Sequence, residues 1–330
     1  MKRVMTMSKI LITGGAGFIG SNLTERLLLE GNEVVLLDTV KDPVNINGFE
    51  DQVEYLREDV CEPKGVGRLL QEDGISGVIH LAAVSRVIWG EERPEECVKT
   101  NVGGLNCILE NIRKAGKRPW VIFGSSREVY GEPTEFPVKE NYRKAPMNVY
   151  GRTKLEGERM VSEFSDQNRS QSAILRFSNV YGNERDILDR VIPRFVLSAL
   201  KDEPIEIHGG NQSIDFTHID DTVEGILRTI DMLERRQQNS IAPSDNGNSY
   251  CNDFHLLPGM PFTLQQTAVA ISDHLGTEVP IHYTGPRNYD VERFHGDPEK
   301  ATRVLGFKAQ ISPERGIPMT IDRFQGVMGA

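Results

Sequence analysis

Two short stretches hold the side chains best suited to chemistry. Tyr150-Gly-Arg-Thr-Lys154 sets a phenol and an ammonium group four residues apart, which in a helix places them on one face. A phenol titrates near about 10 and is a poor base at neutral pH, but a neighbouring cation stabilises its ionised form. Lowering its pKa by about 3 units takes roughly 4 kcal/mol of differential stabilisation. A phenolate so held can take a proton from an alcohol. Alone, this spacing is common and suits an exposed helix face better. The second stretch, Gly124-Ser-Ser126-Arg-Glu128-Val-Tyr130-Gly, follows an apolar run. It offers a hydroxyl, Ser126, that can share a hydrogen bond with a reacting alcohol, and a carboxylate, Glu128, that can act as a base.

The elements that must position these groups repeat in a simple rhythm. Lys9-Ile-Leu-Ile-Thr13 reads as a strand, Ser21 to Glu30 as a helix, and Glu33 to Asp38 as the next strand. Further strands are expected at Val53–Leu56, Gly77–Leu81, Trp120–Phe123 and Ala173–Phe177, with helices around Val98–Ala115 and Val149–Phe164. Strand and helix in alternation imply a doubly wound parallel sheet with helices on both faces, an α/β fold of Rossmann type. After Ser178 prolines and glycines increase and the strands shorten. The expected division is a dinucleotide-binding domain over 1–178 and a smaller α/β substrate domain over 179–330, with Asp215 to Leu233 returning to the first domain as a strand and helix. The polar stretch Arg235 to Asn252 is expected as a surface loop.

Directly after the first strand comes Gly14-Gly-Ala-Gly17-Phe-Ile-Gly20. In this spacing Gly14 allows a tight turn, Gly17 lets the backbone approach a pyrophosphate, and Gly20 lets helix and strand pack closely. The start of the helix, with Phe18 and Ile19, supplies free N–H groups and a partial positive charge. Asp38 ends the second strand, 18 residues beyond Gly20. There a carboxylate can bind the adenosine ribose and repel an added 2′-phosphate, which favours NAD over NADP. The positive nicotinamide ring would add to the stabilisation of a Tyr150 phenolate.

Bulk properties narrow the partners. The net charge is −10 over 330 residues, with 38% hydrophobic and 26% charged residues, so no general attraction to nucleic acid or acidic membranes is expected. No apolar run reaches the length of about 18 residues that a membrane span needs. Cys61, Cys97, Cys107 and Cys251 form no CxxC pair, and no metal spacing is present. A reduced, cytoplasmic protein is expected.

Together these motifs resemble the extended short-chain dehydrogenase/reductase family, in its nucleotide-sugar epimerase and dehydratase branch. The resemblance includes Asp59-Val60, His80-Leu-Ala-Ala83, Thr100-Asn101-Val-Gly-Gly, Arg176-Phe-Ser-Asn179-Val-Tyr-Gly182 and Gly285-Pro-Arg287, and covers nearly the whole chain. It implies that Tyr150 takes the hydroxyl proton, Lys154 holds the nicotinamide ribose, and Ser126 orients the sugar. It implies that Asp59 and Val60 bracket the adenine and that Leu81, Ala82, Ala83, Asn101 and Ser178 line the cofactor. Asn179 and Arg287 would meet the sugar nucleotide, Arg287 at its diphosphate. A homodimer through the helices near Val98–Ala115 and Val149–Phe164 is a further implication.

The chain departs from the family pattern at two places. Dehydratases of the family often carry an acid–Glu pair after the catalytic Ser or Thr, whereas here the pair is Arg127-Glu128, and arginine cannot donate a proton. The Arg usual before the Asp-Phe of Ser213-Ile214-Asp215-Phe216-Thr217 is replaced by Ile214, which counts against a decarboxylase. Anchoring then falls to Arg287 with Arg86, Arg185 or Arg194. The expected reaction is therefore epimerisation of a UDP- or dTDP-linked sugar through a transient 4-keto sugar. The alternative is dehydration with Glu128 as base, followed by a net dehydrogenase or reductase and a non-catalytic NAD sensor. His80 is expected to be structural.

Overall fold

The computed structural model describes residues 7–62, 64–71, 74–239, 249–287 and 289–329. The chain begins with β1 (Lys9–Thr13), α1 (Phe18–Leu29), β2 (Glu33–Asp38), β3 (Glu54–Arg57), α2 (Lys64–Gln71) and β4 (Ile75–His80). It continues through α3 (Val87–Glu92), α4 (Pro94–Val98), α5 (Leu105–Ala115), β5 (Trp120–Ser126), α6 (Val149–Asn168) and β6 (Ser172–Phe177). The second half holds β7 (Asn179–Tyr181), α7 (Val191–Leu200), β8 (Ile205–His208), β9 (Ser213–His218), α8 (Ile219–Gln238) and β10 (Cys251–Leu256). Last come β11 (Pro261–Thr263), α9 (Leu264–Leu275), β12 (Ile281–Thr284), β13 (Arg293–Phe294), α10 (Glu299–Leu305) and α11 (Pro313–Met328).

Seven strands form one sheet in the order β10-β6-β5-β4-β1-β2-β3, and every neighbouring pair is parallel. Because side chains alternate across a strand, each strand feeds two cores. Ile10, Ile12, Leu36, Ile79 and Ile122 join α1 and α8 on one face. Leu11, Val35, Val78, Val121 and Phe123 join α2, α5 and α6 on the other. Each fully buried aliphatic side chain contributes about 1.5–3 kcal/mol. The chain runs outward from β1 to β3, then crosses back to β4 on the other side of β1. That reversal opens a crevice at the carboxyl ends of β1 and β4, where ligands bind in doubly wound sheets.

The smaller unit packs β11-β9-β13, with β7 beside β9, and a β12-β8 pair around a third core that α7, α9 and α11 complete. The sequence reading sends the strand of 215–233 to the first domain with its helix. The structure separates them. α8 carries Val223, Ile226 and Ile230 into the first core, but β9 pairs with β7, β11 and β13 in the smaller sheet. The strand that does return is β10, parallel to β6 from Cys251↔Ser172 to Leu256↔Phe177. In the expected loop 235–252, α8 extends to Gln238 and β10 starts at Cys251, while 240–248 lie outside the described residues. The helix expected over Val98–Ala115 runs without a break, but its segment Lys99–Gly104 is wound as a wider π-helix.

Candidate active site

One cleft of about 1120 Å³ runs from the glycine turn to the smaller domain. Its floor is set by the turn after β1. Gly14 has φ +71°, and a Cβ there would lie 2.7 Å from the Ala82 amide nitrogen. A Cβ on Gly20 would stand 2.4 Å from the Gly14 carbonyl oxygen, so only glycine lets α1 sit this close to the turn. Gly14, Gly17, Phe18, Ile19 and Gly20 all line the cleft, with α1 directed into it. Asp38 accepts from the Ala16 amide at 3.0 Å and from Thr39 at 2.8 Å, fixing its carboxylate at the cleft edge. Asp59, Val60, Leu81, Ala82, Ala83 and Ser178 continue the wall. An open glycine turn at a helix start and a carboxylate at the end of β2 fit the pyrophosphate and ribose of NAD.

Asn101 is placed differently. It is buried one layer behind the cleft, where its side chain accepts from the Val84 amide at 2.7 Å and donates to Thr153 Oγ1 at 2.9 Å. It braces the loop after β4 against α6. His80 is likewise internal: it pairs with Thr13 Oγ1 at 2.9 Å, and burial lowers its pKa to about 3, so the ring is neutral.

The catalytic candidates meet across β5 and α6. Asn148 caps α6 by accepting from the Gly151 amide at 2.7 Å, which fixes the start of the helix and presents Tyr150 to the cleft. Ser126 lines the same cleft as the phenol, and its hydroxyl accepts from the Glu128 amide at 3.2 Å. Burial pushes the Tyr150 pKa up to about 12, against the downward pull of Arg190 and Ser126. Lys154 lies one turn further on. Its ammonium is 5.7 Å from the Tyr150 ring centre and donates to the Gly124 carbonyl at 2.8 Å. Burial brings its pKa down to about 8. Behind it Glu158 grips Arg176 at 2.7 and 2.8 Å and accepts from Ser125 at 2.7 Å, locking α6 to β5 and β6.

Glu128 is engaged on both carboxylate oxygens. Arg127 Nη2 lies 3.0 Å from one, and Asn148 Nδ2 donates to the other at 2.7 Å. Arg127 also donates to Asn179 Oδ1 at 3.3 Å and rests on the Phe294 ring. The far end of the cleft carries Arg86, Arg190, Arg194 and Arg287, while Ile214 adds an apolar wall. Arg86 pairs with Asp189, Arg287 with Asp290 at 2.7 Å, and Arg194 donates to the Glu206 carbonyl at 3.2 Å. Burial, then mutual repulsion with Arg190, Arg287 and Arg194, depresses the Arg86 pKa. Four guanidinium groups thus gather at one end of the cleft, three of them beside the carboxylates of Asp186, Asp189 and Asp290. Arg185 instead pairs with Glu25 on α1. Arg190 has no counterpart in the sequence reading; in a polar stretch with no motif around it, nothing marked it. Among the described residues no His, Cys, Asp and Glu group could hold a metal, and no helix is long and apolar enough to cross a membrane.

Comparison with known proteins agrees with this geometry. The chain is 29% identical over 328 residues to UDP-glucuronic acid decarboxylase 2 of Arabidopsis thaliana, across 96% of this chain and 68% of that protein. Its fold superposes on UDP-glucose 4-epimerase of Thermotoga maritima, solved with UDP-glucose, with a TM-score of 0.86 and 27% identity, covering 97% and 99% of the two chains. UDP-glucuronic acid 4-epimerase of Bacillus cereus, solved with UDP-glucuronic acid and NAD, gives 0.84 and 26%, again covering 97% and 99%. The model of the NAD dependent epimerase/dehydratase family matches residues 10–242. A glycine turn built for NAD, a tyrosine–lysine helix facing it and these likenesses together make the chain a member of the NAD dependent epimerase/dehydratase family, an NAD-dependent enzyme of nucleotide-sugar metabolism.

Proposed function

We propose that the protein is a UDP-sugar epimerase that inverts a sugar carbon, C4, by oxidation and return. The observation that carries this reading is the state of the groups around Tyr150. The phenol shares the cleft with the Ser126 hydroxyl and has a lysine on its own helix, whereas Glu128 has donors on both oxygens. Elimination of water needs a free acid and a free base at the sugar. Epimerisation needs only one group that takes and returns the hydroxyl proton.

NAD, when bound, accepts hydride from the carbinol carbon and gives it back. Ser126 holds the C4 hydroxyl, Tyr150 removes its proton, and the resulting ketone keeps its oxygen against the same two groups. Lys154 holds the nicotinamide ribose and adds positive charge on the phenol side. Arg287 and Arg194 hold the diphosphate while the sugar turns its other face, and Tyr150 then returns the proton. A second reading, decarboxylation of a UDP-uronic acid after the same oxidation, is supported by the likeness to the plant decarboxylases and opposed by Ile214 on the cleft wall.

The test is the product mass from UDP-glucose and UDP-glucuronic acid with the NAD-loaded protein. A chromatographically new product of unchanged mass is expected. Loss of water or of carbon dioxide would replace this reading by dehydration or decarboxylation.

A further inference from the structure

Glu158 follows Lys154 by one turn of α6 and, unlike Tyr150 and Lys154, lies outside the cleft. Two strands hold its carboxylate. Ser125 on β5 and Arg176 on β6 are direct partners in the sheet register, and both reach the same group. The Ser125 hydroxyl donates to Oε1 at 2.7 Å, while Arg176 donates from Nε to Oε1 at 2.7 Å and from Nη2 to Oε2 at 2.8 Å. Arg176 is fixed in its turn. Its Nη1 donates to the Tyr130 hydroxyl at 2.9 Å and to the Glu140 carbonyl at 3.2 Å, and stands 3.0 Å from Asp253 on β10. We propose that Glu158 is a positioning residue for the reaction: through Ser125 it sets the end of β5, and with it the Gly124 carbonyl and Ser126, against Lys154 and Tyr150. The proposal rests on the reading of Ser126, Tyr150 and Lys154 as the reacting groups.

Two side-chain ties join α6 to consecutive residues at the end of β5. Lys154 Nζ donates to the Gly124 carbonyl at 2.8 Å, and Ser125 donates to Glu158. Between them the helix lies hard against the strand: a Cβ on Gly157 would stand 2.4 Å from Phe123 Cζ, and the Lys154 ammonium is 5.0 Å from the centre of that ring. The two ties differ in stiffness. A lysine stem is flexible and its ammonium a point charge, so it follows a carbonyl that moves. A two-pronged arginine–carboxylate pair has one geometry and passes it on. Both charges are buried, with side-chain exposures of 2% for Arg176 and 6% for Glu158. Desolvation offsets most of the attraction in such a pair, so its directional bonds count for more than its net energy. Ser125 is covalently next to Ser126, and a shift of the strand end moves the hydroxyl in the cleft and the Lys154 acceptor together. Catalytic groups tolerate little of this, since a misplacement of about 1 Å can cost about 10²-fold in rate.

The test compares Ser125→Ala, Glu158→Gln and the double variant, each loaded with NAD, for kcat and KM on UDP-glucose and UDP-glucuronic acid. Rates are taken per folded molecule, with melting followed separately. Ser125→Ala leaves the Glu158–Arg176 pair in place and removes only its hold on β5. Its kcat should fall about tenfold, and that of Glu158→Gln about 10²-fold, with KM nearly unchanged. Because Ser125 acts through Glu158, the losses should not multiply, and the double variant should turn over like Glu158→Gln alone. Wild-type kcat in Ser125→Ala overturns the proposal, whether or not Glu158→Gln folds. Losses that multiply in the double variant, or a loss confined to KM, also overturn it. Wild-type protein that turns over no nucleotide sugar overturns the functional reading instead, and positioning is then read from crystals of Ser125→Ala. A Gly124 carbonyl displaced from Lys154 by about 0.5 Å or more upholds the role of Glu158; an unmoved one overturns it.

Discussion

Glu128 carries a charge that the protein uses internally. Its two oxygens hold the Arg127 guanidinium and the Asn148 amide, and Asn148 in turn caps the helix that presents Tyr150. Glu128→Gln must set an amide donor against one of those two donors and leave buried Arg127 without its counter-charge. Thermal or denaturant unfolding should show a loss on the order of 3 kcal/mol. Turnover of the folded variant should stay within about tenfold of wild type, since a general base would contribute about 10²–10⁴. A variant as stable as wild type but inactive would return Glu128 to the chemistry. From sequence, base and structural partner were both open for this residue, because one-dimensional spacing does not tell which donors surround a carboxylate. Tyr150, Lys154 and Ser126 were legible because helical periodicity and a strand end determine where they point. Asn101 was not: its motif marks a place near the cofactor, and only packing shows that Val84 and Thr153 take its side chain.

At the scale of elements, α1 and the glycine turn are the part most fully written in the sequence. The spacing of Gly14, Gly17 and Gly20 after an apolar strand leaves few other structures. The three glycines differ physically, however. A Cβ on Gly17 meets only the Gly14 carbonyl at 3.2 Å, but one on Gly20 meets that oxygen at 2.4 Å and Gly15 Cα at 2.8 Å. Gly20→Ala should therefore destabilise even the cofactor-free protein, by about 1–3 kcal/mol, whereas Gly17→Ala should mainly weaken NAD binding. Melting curves without cofactor and NAD titrations separate the two; a Gly20→Ala protein that melts with wild type would contradict the packing argument. The segment Lys99–Gly104, which seats Asn101, continues the helix in a wider π winding, and six residues are too few for a changed period to show in the apolar pattern.

The whole molecule is two units sharing one cleft, and chain order obscures them. β9 belongs to the smaller sheet, while the helix that follows it and β10 return to the large one. Short strands of five or six residues carry little signal of which sheet they will join, since parallel pairing is decided by distant partners. Asn45 joins the two units by donating to the carbonyls of Ala16 in the glycine turn and of Arg185. Tyr150 thus lines one cleft with the glycine turn and with Arg86, Arg194 and Arg287, an arrangement that the proposed oxidation and return at one carbon would use. The most direct check is the fate of deuterium. With a UDP-sugar deuterated at C4, the account predicts that the epimeric product keeps the label at C4 in ordinary water. An epimer that has exchanged the label for solvent hydrogen would mean proton abstraction from carbon, and would contradict it.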